Sequence, residues 1–156
     1  MGDIAIRRGT IEDAERVSSL VTALSEEFIV REFSPEGRAY FLREHSPTEV
    51  RQRLAGDFRF YLAEDRNDLV AVAAIRANAH LYYLFVSKPY HGTGLARRLW
   101  SRVKEDSMAQ GNAGVFTVNA SNYAVPAYEG LGFRRTERTQ EKNGVLYNPM
   151  RFVSAG

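Results

Sequence analysis

The stretch HLYYLFVSKPYHGTGLA, residues 80–96, decides the fold. Its first part, 80–86, is apolar on both faces and predicts a central strand. Its last part turns through Gly92 and Gly94 into Leu95, where apolar residues begin to recur at helical spacing. A buried strand that turns tightly into a helix predicts a sheet with helices packed on its faces.

The flanking sequence adds elements in the order strand, helices, three strands, helix, strand, helix and two strands. Strands are predicted at 4–6, 58–63, 69–75, 80–86, 115–118, 133–138 and 146–153. Helices are predicted at 14–24, 25–31, 47–55, 95–110 and 124–131, with a further helix starting at Ser34-Pro35. We expect a single α/β (α+β) domain over residues 1–156, with a central mixed, mostly antiparallel sheet of six or seven strands and about four helices on its faces.

Short local signals support these boundaries. Ser34-Pro35 and Ser46-Pro47 each pair a capping hydroxyl with a proline at the first helical position. Thr10 and Asp13 have the spacing of a capping box. Asn143-Gly144 is a hairpin turn signal between the last two predicted strands.

Composition excludes several classes of protein. The 156 residues are 44% hydrophobic and 26% charged, which suits one domain with a real core. The absence of cysteine excludes disulfides, thiolate zinc sites and a cysteine nucleophile. No run approaches the ~18 consecutive apolar residues of a membrane span, and the N-terminus lacks the apolar core of a signal peptide. We expect a cytoplasmic protein without a membrane or metal partner.

Charge is divided unequally along the chain. Residues 1–78 hold 11 basic and 14 acidic residues, a net −3, and residues 79–156 hold 10 basic and 5 acidic residues, a net +5. An anionic ligand is therefore better placed on the second half, unless the basic residues form only a solvated face. The arginines are scattered and form no recognisable nucleic-acid module, so nucleic acid is not expected as a partner.

The glycine turn at 91–96 is the first candidate site. Helix N-terminal amides lack intrahelical acceptors and, with the helix dipole, form a phosphate-binding site. A Walker loop would need lysine and serine or threonine after Gly94, and a dinucleotide fingerprint would need a third glycine where Arg97 stands. A pyrophosphate loop for coenzyme A and a plain tight turn remain.

Residues 84–96 resemble motif A of the GNAT superfamily of acyl-CoA-dependent N-acyltransferases. That motif is a strand ending in Leu-x-Val and then Gln/Arg-x-x-Gly-x-Gly/Ala. Here 84–86 is Leu-Phe-Val, followed by His91-x-x-Gly94-x-Ala96. The departure is His91, where the family usually has glutamine or arginine.

A second stretch looks like another motif of the same superfamily. It has Ala124, then Tyr128 four residues later, then Gly132-Phe133. Where the family often has asparagine, this chain has Ser121, which can cap the helix or reach the pantetheine arm. The resemblance covers about residues 58–153, and residues 4–24 look like the family's first strand and helix.

The resemblance implies how acetyl-CoA, as co-substrate, would be held. Main-chain amides of 84–86 would hold the pantetheine, with Val86 near the thioester carbonyl, and amides of 92–97 would hold the pyrophosphate. The implied coenzyme-binding residues are Leu84, Phe85, Val86, His91, Gly92, Thr93, Gly94, Leu95, Ala96, Arg97, Asn119 and Ser121.

Two residues are candidates for catalysis. Tyr128 stands at the position of the family's usual general acid, and a phenol of pKa ~10 can protonate a departing thiolate of similar basicity; core packing is the other interpretation. His80 is the one group of suitable pKa on the two central strands. It can act as a base through water or be structural, and water without a dedicated base is equally open.

Strict alternation along the central strand predicts which side chains share a face. It places His80, Tyr82, Leu84 and Val86 on one face and Leu81, Tyr83 and Phe85 on the other.

The acceptor is expected to meet the first-half helices and the last hairpin. Four aromatic residues are candidates to line its site, and three acidic residues are candidates to attract a cationic amine. They are Phe28, Phe33, Tyr40 and Phe41, and Glu26, Glu27 and Glu32.

The implied function is transfer of an acetyl group from acetyl-CoA to a primary amine of a small molecule or peptide, by direct attack in a ternary complex. The alternative is a non-catalytic CoA-binding or protein-interaction module on the same fold. The acceptor, the acyl length and the oligomeric state, a homodimer included, stay open.

Overall fold

The computed structural model describes residues 3–155 of the protein. These residues form an eight-stranded sheet with five helices. The strands are β1 (Ile4–Arg8), β2 (Phe58–Asp65), β3 (Asp68–Arg76), β4 (His80–Val86), β5 (Val115–Ala120), β6 (Arg134–Arg135), β7 (Gln140–Lys142) and β8 (Val145–Val153). The helices are α1 (Ala14–Phe28), α2 (Pro35–Glu44), α3 (Pro47–Ala55), α4 (Leu95–Ala109) and α5 (Val125–Gly130). Short 3₁₀ turns cover Ile11–Asp13, Val30–Glu32 and Lys88–Tyr90.

The strand order is β1-β2-β3-β4-β5-β8-β6, with β7 paired to β8. Every pair is antiparallel except β4 with β5, which is parallel. The expected mixed, mostly antiparallel sheet with helices on its faces is confirmed. The parallel pair requires a crossover, and α4 supplies it.

Two predicted elements differ clearly from the structure, and several strands are one or two residues longer than predicted. The predicted strand 133–138 is only the two-residue β6, and the partner of β8 across Asn143-Gly144 is β7. Both β6 and β7 pair with β8, so this nine-residue strand serves three neighbours along its length. The predicted helix 25–31 is the continuation of α1 to Phe28 followed by a 3₁₀ turn.

The core has a layer on each face of the sheet. On one face α4 and α5 pack against the sheet, and Trp100 lies edge-on to Phe116 and close to Phe133, with ring centroids 5.0 and 5.1 Å apart. On the other face α1 and α3 pack through Val17, Val21 and Val50, all fully buried. Each buried aromatic or aliphatic side chain contributes roughly 1.5–3 kcal/mol to stability.

A β-bulge in β4 makes the predicted alternation of side chains wrong. Ala74 pairs with Tyr83, but Ile75 pairs with Leu81, so Tyr82 is an extra residue in the ladder. Tyr82 therefore packs on the α1 and α3 face together with Tyr83 and Phe85. Leu81 packs on the α4 face with Leu84 and Val86.

The start of α2 rests directly on the β7–β8 turn. Ser34 caps α2 by accepting a hydrogen bond from the Gly37 amide at 3.0 Å. A Cβ on Gly37 would overlap the carbonyl of Gly144, so the two backbones meet at glycine-to-glycine distance. Gly144 also has φ +78°, which a larger residue adopts only with strain. This contact joins the first-half helices to the last hairpin.

Replacing Gly37 by alanine is expected to destabilise the protein, because the new methyl group must push α2 away from the hairpin. Overpacking of this kind typically costs about 1–3 kcal/mol, measured as the free energy of unfolding in urea. Gly130→Ala is the matched control, since a Cβ there meets nothing within 4 Å. Equal stability of the two variants would show that the contact contributes nothing.

Candidate active site

The cleft begins where β4 and β5 part. They are paired at only two positions, His80 with Thr117 and Leu81 with Val118. At the closed end the Thr117 amide donates to the Ala79 carbonyl at 3.1 Å, and the His80 Nδ1 and Thr117 Oγ1 atoms lie 2.7 Å apart. Beyond this point the facing edges of the two strands are not paired with each other.

A cleft of about 830 Å³ occupies the gap and extends towards α1, α2 and the β7–β8 hairpin. All the catalytic and coenzyme-binding residues predicted from the sequence line it except Thr93. The Thr93 hydroxyl instead donates to the Tyr90 carbonyl within the turn. The structure therefore brings together two motifs that lie far apart in sequence.

The turn into α4 depends on glycine. Gly92 has φ +75° and Gly94 has φ +85°, both in the left-handed region that other residues rarely adopt. A Cβ at either position would meet nothing within 4 Å, so the requirement comes from backbone conformation and not from crowding. The turn consequently presents bare backbone to the cleft.

Six consecutive backbone N–H groups at this corner are free. Tyr90 and His91 donate within the preceding turn, and Arg98 donates to the Gly94 carbonyl at 3.0 Å. Among residues 3–155, no carbonyl accepts from the amides of 92–97. Free amides at the positive end of the α4 dipole form an anion-binding site.

His91 is tied to the end of β4. Its Nε2 lies 2.7 Å from the Val86 carbonyl. Because a carbonyl only accepts, Nε2 carries a proton. The ring also lies 5.8 Å from that of Phe28, centroid to centroid. His91 thus holds the glycine turn against β4, and it contacts the cleft through the same side chain.

Tyr128 lies on α5 and lines the cleft, although it is only 7% exposed. Its ring packs edge-on against Phe133 at 5.5 Å. Within the described part of the chain its hydroxyl makes no hydrogen bond, in contrast to the hydroxyls of Tyr61 and Tyr83. Burial raises the pKa of the Tyr128 phenol, so the hydroxyl keeps its proton at neutral pH.

Asn119 near the end of β5 and Ser121 just after it behave differently. The Ser121 Oγ accepts from the Ala124 amide at 3.2 Å, so Ser121 does cap the turn into α5. Asn119 is exposed on β5, and its side chain has no hydrogen-bond partner among the described residues. Both line the cleft.

His80 is a weak base in this environment. Burial, with a smaller contribution from the Arg76 cation, lowers its pKa to about 4 from the usual 6.5. Its Nδ1 is held by the Thr117 hydroxyl. The ring is therefore neutral at neutral pH, and its affinity for a proton is low.

The far part of the cleft, which we call the acceptor arm, lies between α1, α2 and the β7–β8 hairpin. The four predicted aromatic residues Phe28, Phe33, Tyr40 and Phe41 line it. The three predicted acidic residues do not. Glu26 pairs with Arg38 at 3.1 Å, Glu27 lies 4.0 Å from Lys88, and Glu32 accepts from Asn122 at 2.7 Å.

Glu44 and His45, at the end of α2, line the cleft and were missed by the sequence analysis. The Tyr83 hydroxyl lies 2.6 Å from the His45 Nδ1 and accepts from Arg53 at 3.1 Å. Burial, and then the Arg53 cation, lowers the pKa of His45 to about 3. The histidine is consequently neutral, and neither residue had a sequence signal, because their position depends on how α2 packs.

Known proteins match this architecture. A family model described as an acetyltransferase (GNAT) domain matches residues 29–154. A GCN5-related N-acetyltransferase from Rhodopseudomonas palustris has a TM-score of 0.84 and 22% identity, covering 99% of this chain and 98% of that chain. PaiA N-acetyltransferase from Thermoplasma acidophilum, solved with coenzyme A, has a TM-score of 0.80 and 16% identity, covering 97% and 99%. An aminoglycoside 6'-N-acetyltransferase complexed with coenzyme A has a TM-score of 0.69 and 11% identity, covering 96% of each chain.

The chain belongs to the GNAT acetyltransferase family, because the family model spans most of its length. The structural neighbours are too distant in sequence to show more than the shared fold. A search of curated proteins found no significant match.

No helix among residues 3–155 has the length and apolar character needed to cross a bilayer. In the same range, histidine, aspartate and glutamate side chains nowhere form a group of three or more that could hold a metal ion.

The buried His45 is expected to make stability fall on acidification. Its folded pKa is about 3 and its unfolded pKa 6.5, so its contribution is fully present above pH 6.5 and is lost as the pH falls towards 3. Over that window His45 adds a slope of up to about 1.4 kcal/mol per pH unit. Urea unfolding at several pH values gives the slope of the unfolding free energy against pH for the native protein and for His45→Gln. Identical slopes for the two proteins would contradict the lowered pKa of His45.

Proposed function

We propose that this protein transfers an acetyl group from acetyl-CoA to a primary amine of a small molecule or peptide, by direct attack in a ternary complex. The observation that carries the proposal is the row of six free amides at 92–97, which belong, Thr93 excepted, to residues that line the cleft between β4 and β5. Membership of the GNAT family supports acyl transfer from acetyl-CoA as the class of reaction.

The coenzyme would be held mainly by backbone. The amides of 92–97 would bind the pyrophosphate at the start of α4. The unpaired edge of β4, residues 82–86, would hydrogen-bond the pantetheine as an added strand would, with Asn119 of β5 and Ser121 just after it on the other side of the cleft. Because these contacts use main chain, His91 can replace the usual glutamine or arginine.

Tyr128 would act as the general acid. Acetyl-CoA supplies an activated thioester, and the thiolate that leaves must be protonated. The Tyr128 hydroxyl lines the cleft, lacks a protein partner among the described residues and carries its proton at neutral pH. A protonated phenol with a free O–H is suited to donate to a thiolate.

His80 is the candidate for the base that neutralises the amine. His80 lines the cleft at the closed end of the gap, and with a pKa of about 4 it is a poor proton acceptor for an ammonium ion. We propose that His80, if it acts, receives the proton through water, and that an amine bound in its neutral form needs no dedicated base.

The low basicity of His80 favours one other candidate, a CoA-binding or protein-interaction module without catalysis. The enzyme and the non-catalytic module are distinguished by measuring the free thiol released from acetyl-CoA in the presence of a panel of amines. Release of thiol that depends on an amine supports the enzyme, and coenzyme binding without release from any amine supports the module.

Acetyl-CoA is expected to raise the melting temperature, since a ligand that binds only the folded state stabilises it by about 2.7 kcal/mol at 100 times its Kd. Gly94→Ala should reduce this shift, because alanine disfavours φ +85° and moves the amides. Gly111→Ala is the matched control, with φ +103°, open space and a position outside the cleft. No shift with millimolar acetyl-CoA, or equal shifts in both variants, would count against the proposed coenzyme site.

Tyr128→Phe is expected to lower kcat by about 10²-fold or more while the coenzyme Kd stays nearly unchanged, because only the donated proton is lost. Steady-state thiol release and calorimetric titration measure the two quantities. Tyr61→Phe removes a buried hydroxyl outside the cleft and should keep kcat even if stability falls. Unchanged kcat in Tyr128→Phe would remove this tyrosine from the mechanism.

A further inference from the structure

Aromatic side chains dominate the acceptor arm. Six of them, contributed by α1, α2, β4, β8 and the loop before α2, line it: Phe28, Phe33, Tyr40, Phe41, Tyr82 and Tyr147. Phe33 and Phe41 pack edge-on at 5.6 Å, and Phe28 stacks on Tyr123 at 4.8 Å. Such walls favour a flat apolar body and also attract a cation to their ring faces.

One carboxylate accompanies these rings. Glu44 is the only acidic residue of the described chain that lines the cleft, and its side chain is 40% exposed. Glu44 forms a long ion pair with Arg53, whose Nη2 atom lies 3.7 Å from the Glu44 Oε1 atom. Arg53 is mostly buried, donates to the Tyr83 hydroxyl and lies 4.8 Å from the centre of the Tyr82 ring. The exposed part of the Glu44 carboxylate is accessible to one ammonium group, which would share the carboxylate with Arg53.

The other charged groups of the cleft do not add negative charge. His45, next to Glu44, is neutral because its pKa is lowered to about 3. Lys142 lines the cleft from β7, and Arg97 lines it at the start of α4 while bound to the Gly130 carbonyl at 2.9 Å. A second or third ammonium group on a substrate would thus lose water and find no carboxylate, which is costly.

The arm is closed on one side. Its α2 wall and its hairpin wall touch at Gly37 and Gly144, with no room for a Cβ between them. An extended peptide cannot run across that contact, whereas a small molecule fits beside it.

We infer that the acceptor is a small amine with one positive charge and an aromatic body, such as a 2-arylethylamine. This inference rests on the proposed function, because it assigns the substrate class of the same site. Glu44 binds the ammonium group, the aromatic walls bind the body, and Glu44 is thereby a specificity-determining residue.

The test measures equilibrium binding to the protein saturated with free coenzyme A, by calorimetric titration. The probes are 2-phenylethylamine, spermidine, kanamycin and a hexapeptide with a free N-terminus. We expect 2-phenylethylamine to bind at least tenfold more tightly than the other three. Tighter or equal binding of spermidine, kanamycin or the peptide, or no binding of 2-phenylethylamine, overturns the inference.

Two variants test whether Glu44 recognises the positive charge of the amine. Glu44→Gln should weaken the binding of 2-phenylethylamine about 5-fold, the upper end of what an exposed ion pair contributes, and leave the binding of neutral 2-phenylethanol unchanged. Glu36→Gln, on the exposed first turn of the same helix, should change neither. An equal loss for the amine and the alcohol would mean that Glu44 has a structural role and would contradict its assignment.

Thiol release separates this inference from the proposed function. Selective binding of 2-phenylethylamine without thiol release would support the inference about the ligand and contradict the proposed catalysis. Thiol release with spermidine or kanamycin in preference to 2-phenylethylamine would support catalysis and overturn the substrate class.

Discussion

The parallel ladder between β4 and β5, only two residue pairs long, is the constraint on which the structure depends. It joins the β1–β4 half of the sheet to the β5–β8 half. It also ends early enough to leave an unpaired strand edge that a ligand can use. Asn112 helps to hold the closed end, donating to the Asn78 carbonyl at 2.8 Å. The open end faces the six free amides of 92–97, so the same geometry provides the cleft and its anion site.

Much of the fold could be predicted from short-range signals in the sequence. The caps at Ser34 and Ser46, the strand at 80–86 and the turn through Gly92 and Gly94 are short-range features, and each is present in the structure. The bulge at Tyr82 and the sharing of β8 among three partners were not predicted. They result from pairing between distant segments, for which alternation along a single strand gives no signal.

The two halves of the site also differ in how far they could be predicted from the sequence. The residues of the coenzyme half come from two motifs, each of which is continuous in the sequence. All of these predicted residues except Thr93 line one cleft. The acceptor half depends on the packing of α2 against the β7–β8 turn, which brings Glu44 and His45 to the cleft. Glu26, Glu27 and Glu32 had the expected charge but make contacts elsewhere. The charge of a residue is known from the sequence, whereas the direction in which a helical side chain points depends on how the helix packs.

Backbone amide chemical shifts give the most direct test of the central claim, that the free N–H groups at the start of α4 receive a diphosphate. Two-dimensional ¹H–¹⁵N spectra would be recorded while coenzyme A is added, and again with pantetheine alone, which lacks the diphosphate. We expect coenzyme A to shift the amides of 92–97 strongly and pantetheine to shift mainly those of 82–86. Amides of 92–97 that stay unmoved at saturating coenzyme A would contradict this claim.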